Sequence, residues 1–179
     1  RSAAPMFLIG RAPGFDSGAG RFYNRDRPYH GRRERRNNHM EYRVFGDSVV
    51  LRIQKGEEIL ETIKTVCERE KIALAEVSGI GAVNDVTLGV FNSEKFEYES
   101  LQFTGDMEIA SCTGNVSQMK GQTYLHLHMV VGNVTRGIVH AGHLNRAKVS
   151  LTGEFTIRRI NGSVDREYSP EVGLNLFRF

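Results

Sequence analysis

Four of the six histidines in this 179-residue chain fall within eighteen residues, in LHLHMVVG at 125–132 and HAGHL at 140–144. In an extended strand successive side chains point to opposite faces, with a rise of about 3.3 Å per residue. His126 and His128 therefore leave one face, roughly 6.6 Å apart along the strand, while Leu125, Leu127 and Met129 leave the other. Two imidazoles so spaced can tilt onto one metal ion, because a Zn–N bond needs only about 2.0–2.1 Å. A third ligand has to come from a neighbouring strand. GNVTRG at 132–137 has the composition of a turn, and it would return His140 and His143 beside the first pair.

Which of the two completes the site depends on register. If the turn centres on Val134, His140 lies opposite His128 and Gly142 opposite His126. Because His140 and His143 are three positions apart, a regular strand cannot aim both at one face. A break at Ala141-Gly142 would re-aim His143, since glycine tolerates bulge and turn conformations. Spacing leaves both choices open. A single strand histidine is ordinarily a surface or hydrogen-bonded residue, so the metal reading rests on the grouping and not on any one member.

The elements that must position these residues are legible in outline. Residues 42–45 and 48–54 alternate as strands joined at Gly46-Asp47. Ile59, Leu60, Ile63, Val66 and Cys67 form one apolar stripe at helical spacing, which predicts a helix over 57–71. Gly56 is the expected start cap, Glu57 and Glu58 suit the positive helix end, and Arg69 and Lys71 suit the other. Strands are expected at 72–80 and 83–91, bent through SGIGAV, and then at 96–103, 107–119, 123–131 and 147–160. Beyond the Asn161-Gly162 turn, Leu174, Leu176 and Phe177 suit an edge strand or a partner surface. One early helix followed by successive strands predicts an α+β fold with a mostly antiparallel sheet.

Charge divides the chain. Residues 1–39 hold nine Arg and three acids, a net of +6, whereas the remainder holds 15 basic and 18 acidic residues, a net of −3. The first 39 residues lack any apolar period and read as a flexible basic leader, or as an expression-derived tail ending before Met40. Arg25-Asp26-Arg27-Pro28 is not an AT-hook, because an acid stands where the backbone must approach DNA. Residues 40–179 are the expected folded domain. The sequence has no run of 18 apolar residues and no visible secretion signal, which points to a cytoplasmic protein without a membrane partner. Cys67 and Cys112 read as buried thiols of a reducing compartment, and the sequons at Asn115, Asn133 and Asn161 as accidental. No Walker loop, nucleophile elbow or dinucleotide fingerprint is present.

Several segments, in this order and spacing, resemble the plants-and-prokaryotes-conserved (PPC) domain family, commonly described as DNA-binding proteins with a PD1-like motif. They are RIQKGEEILETI at 52–63, SGIGAV at 78–83, TGDMEIASCTGN at 104–115, LHLHMVVG and AGHL. The resemblance implies a homotrimeric α/β domain in which His126, His128 and His143 lie close together and, as in some members, bind zinc or another divalent metal. It therefore favours His143 over His140. It also marks Glu108 as an acidic position, either near the histidines as a catalytic proton carrier or paired with a neighbouring base. Two functions follow: a metal-binding protein with a DNA-associated or regulatory role, or a zinc enzyme acting on a small carbonyl compound. The second reflects the fold's likeness to acetolactate decarboxylase. DNA is the other partner implied, although the plant members hold it with AT-hooks that this chain lacks and a net of −3 suits phosphate poorly.

Overall fold

The computed structural model describes residues 40–179. The expectations for residues 1–39, including the basic leader and the run from Arg25, lie outside them. The described residues form β1 (Glu41–Phe45), β2 (Ser48–Gln54), α1 (Ile59–Arg69), β3 (Ala75–Asn92), β4 (Glu97–Met119), β5 (Gln122–Asn133), β6 (Ile138–Arg159), β7 (Asp165–Ser169) and β8 (Leu174–Arg178). The strand neighbours run β1-β2-β6-β3-β4-β7-β8, and β5 bridges β4 and β6. Apart from one parallel contact between Gln118 and Asp165, every pairing is antiparallel. The α+β reading with one principal helix is what the chain adopts.

Alternation sends one set of side chains inward. On β2, Val49, Leu51 and Ile53 are buried while Val50 is half-exposed. Leu127, Met129 and Val131 do the same on β5, and Ala147, Val149, Phe155 and Ile157 on β6. The helix packs on β5 and β6, burying Ile59, Ile63, Val66 and Cys67. Full burial of each large aliphatic side chain contributes about 1.5–3 kcal/mol. Its cap differs from the expected Gly56. Glu58 occupies that position, with its carboxylate accepting from the Glu61 N–H at 2.7 Å and from the Ala147 N–H at 2.9 Å. Gly56 lies in the preceding turn with φ +91°.

The largest departure from expectation is strand length. The segments expected at 72–80 and 83–91 are one strand, β3, with register shifts at Gly79/Gly81 and Val83/Asp85. Likewise 96–103 and 107–119 merge into β4. The glycines there serve packing as well as bending, since a Cβ at Gly79 would run into the ring of Phe155. β6 is also continuous, from the turn after β5 through to Arg159. The C-terminal segment makes the hairpin of β7 and β8, so the edge-strand alternative holds for residues 174–178. Among the described residues no helix is long and apolar enough to cross a membrane.

Candidate metal centre

Leu127 and Met129 are buried, so the intervening histidines of β5 must face the opposite side of the sheet. Behind them β4 approaches closely, because position 114 is glycine: a Cβ there would collide with the His126 carbonyl and Leu127 Cα. The third histidine is set by the turn. Asn133 and Ile138 pair, closing a four-residue loop at 134–137. The Asn133 side-chain oxygen accepts from the N–H groups of Thr135 and Arg136, both at 3.1 Å, and its amide donates to the Asp106 carbonyl at 2.7 Å. Gly137 completes the turn with φ +64°.

That loop puts the turn centre between Thr135 and Arg136, and not at Val134 as the sequence suggests. The register changes parity as a result: His143 pairs with His128, and His140 pairs with Val131. No break at Gly142 is needed to re-aim His143. Glycine is required there for another reason, since a Cβ would come within 2.8 Å of the Gly89 carbonyl oxygen on β3. His140 lies on the face of the buried Val131, stacked on Phe103 with ring centroids 3.7 Å apart.

His126, His128 and His143 each offer a ring nitrogen, and these atoms all lie within 4.8 Å of one another. The Nε2 atoms of His126 and His128 are 3.3 Å apart. Two ligands on a tetrahedral ion with bonds of about 2.0–2.1 Å stand roughly 3.3 Å apart, so this pair already has ligand-to-ligand separation. A hydrogen bond between one protonated and one bare nitrogen would give the same distance. Among the described residues no carboxylate or thiolate joins the group. The set is therefore three imidazoles, which suits a borderline metal such as zinc and leaves a coordination position open.

Electrostatics favours lone pairs over protons. Burial, followed by the fields of His143, Arg166 and His128, lowers His126 to about 4. His143 is lowered too, by burial first and then by His128 and Arg166. Around the triad, Tyr98 meets His143 edge-on at 6.1 Å and donates to Asn145 at 2.6 Å. Asn115 pairs with His126 across β4 and β5.

Glu108 is not part of this group. It pairs with Gly132, four residues along β5 from His128, a separation of about 13 Å along the strand. Arg166 is the neighbour that sequence reading missed. Period-2 alternation could have identified Tyr124 and Asn115 as facing the site, but Arg166 arrives only through docking of the β7–β8 hairpin.

The Plants and Prokaryotes Conserved (PCC) domain model matches residues 40–161. A crystal structure from Bacteroides thetaiotaomicron, described as a candidate DNA-binding protein, is 34% identical with a TM-score of 0.76, covering 79% of this chain and 99% of that one. A metal-containing protein of Archaeoglobus fulgidus is 29% identical with a TM-score of 0.70, covering 79% and 99%. A plant- and prokaryote-conserved protein of Pyrococcus horikoshii is 31% identical with a TM-score of 0.68, covering 81% and 98%. No curated protein matches the sequence.

Proposed function

This chain belongs to the Plants and Prokaryotes Conserved domain family, and we propose that it is a homotrimeric, metal-binding member with a DNA-associated or regulatory role. His126, His128 and His143 hold a divalent ion, zinc by preference. The observation that carries this reading is the convergence of three ring nitrogens within 4.8 Å. The metal-containing Archaeoglobus fulgidus relative supports it. The DNA association rests on the Bacteroides thetaiotaomicron relative, described as a candidate DNA-binding protein, and for this chain any phosphate contact falls to the arginines of residues 1–39. Trimer formation is supported by half-exposed apolar side chains outside the core. Val50 and Ile80, 49% and 58% exposed, line a shallow depression with Ala110 that a second copy would cover.

A second reading, a zinc-dependent enzyme acting on a small carbonyl compound, is favoured by the exposure of His128. When bound, an ion with three protein ligands supplies a Lewis acid with an open position. The imidazoles' part would be to offer their ring nitrogens as the three ligands. Within one chain Glu108 stands about 13 Å along the strand from His128, outside the histidine group.

Metal analysis of the purified full chain tests the main reading. One equivalent of zinc per chain is expected, in a particle of three chains by sedimentation. A folded chain that retains no divalent ion, even after zinc is added, would mean that the histidines only hydrogen-bond to one another.

A further inference from the structure

Arg166 on β7 is 8% exposed. Its Nε donates to Ser117 Oγ at 2.8 Å, its Nη1 to the Asn175 carbonyl at 2.8 Å and its Nη2 to Asn115 Oδ1 at 2.9 Å. The guanidinium carbon lies 4.7 Å from the centre of the Tyr124 ring and 4.2 Å from that of Phe177. Every one of these partners is neutral. Among the described residues no carboxylate pairs with Arg166.

A buried cation without a counter-charge is costly, and arginine cannot escape the cost by losing its proton. The two ring contacts and three hydrogen bonds from the cation offset part of this cost, and no carboxylate supplies the rest. Asn115 faces His126 directly across β4 and β5, and Tyr124 precedes His126 by two residues on the same face. The guanidinium is thus held on the His126 side of the triad by groups that carry no negative charge. Of its five N–H donors, three are committed.

We infer that the metal centre takes a small carboxylate anion, which fills the open coordination position within the field of Arg166. This rests on the metal reading above. A bound divalent ion and Arg166 would form a cluster of two positive centres with no acid among its described members. A divalent ion and Arg166 carry three positive charges between them, so an anionic ligand offsets part of that charge, whereas a neutral ligand offsets none of it. Arg166 lies on the β7–β8 hairpin, beyond the segment 40–161 that the family model matches.

Cobalt(II) loaded into the full chain gives a visible spectrum that reports the fourth ligand. Acetate and acetamide are titrated separately into wild type, Arg166→Lys and Arg166→Gln, with circular dichroism checking the fold. Acetate is expected to perturb the bands at concentrations that leave acetamide silent. Its affinity should fall at least tenfold in Arg166→Gln and by less in Arg166→Lys, with cobalt retained in all three. Unchanged acetate affinity in folded Arg166→Gln, a loss in folded Arg166→Lys as large as in Arg166→Gln, or equal binding of acetamide by wild type, overturns the inference and leaves the metal reading intact. Failure of wild type to take cobalt overturns both.

Discussion

His128 and His143 stand directly opposite each other across β5 and β6, and this one register decides which histidines share a face. Replacing His126, His128 or His143 by Ala should each weaken zinc retention by two orders of magnitude or more, read by competition with a chelating dye. His140→Ala should leave zinc affinity unchanged. Its loss of the Phe103 stack should instead cost about 0.5–1.5 kcal/mol in urea unfolding. Zinc lost from His140→Ala and kept by His143→Ala would contradict the observed register.

Removal of residues 1–39 takes away a net of +6. Any duplex binding should then drop to a negligible level at physiological salt, measured by fluorescence anisotropy. Salt-sensitive binding retained by the 40–179 fragment would assign DNA contact to the domain itself.

In metal-free protein, stability should fall on mild acidification. His126 is held at about 4 in the folded chain, against an ordinary value of 6.5, and His143 is lowered in the same direction. As pH drops below about 6.5 the unfolded chain takes up these protons first. Stability is therefore full above that point and is lost progressively toward pH 4. The urea midpoint measured across this window should decline, and less steeply in His126→Asn. A midpoint that is flat in the parent would show that the imidazole is not shielded.

Glu58 caps α1 and also binds the Ala147 N–H. Glu58→Ala should lower stability by about 1–2 kcal/mol, with Glu58→Asp recovering part of it. The zinc content should not change, because the helix lies on the other face of the sheet from the triad. An effect under about 0.3 kcal/mol would mean that water replaces the carboxylate at both N–H groups.

Cys67 and Cys112 are buried free thiols, pushed up to about 12, in both cases by burial first. Neither should react with iodoacetamide in the native protein at pH 8, and both should react in denaturant, counted by mass spectrometry. Rapid native labelling of Cys67 would mean that α1 opens locally.

Alternation of apolar and polar residues was enough to determine the antiparallel sheet, the helix stripe from Ile59 to Cys67 and the shared face of His126 and His128. These are local periodicities, and each is set by backbone geometry within one element. The third histidine was not local. Its place depends on how many residues the turn consumes, and the bonds of the Asn133 side chain to Thr135 and Arg136 settle that number. A shift of the turn centre by one and a half residues exchanges faces, which separates His143 from His140. The continuity of β3 and β4 was likewise hidden, because Gly79 is small to admit the Phe155 ring and not to end a strand. Arg166 was the least legible of all. Only tertiary docking brings a residue 40 positions from His126 to its side, and the sequence carries no period that spans such a distance.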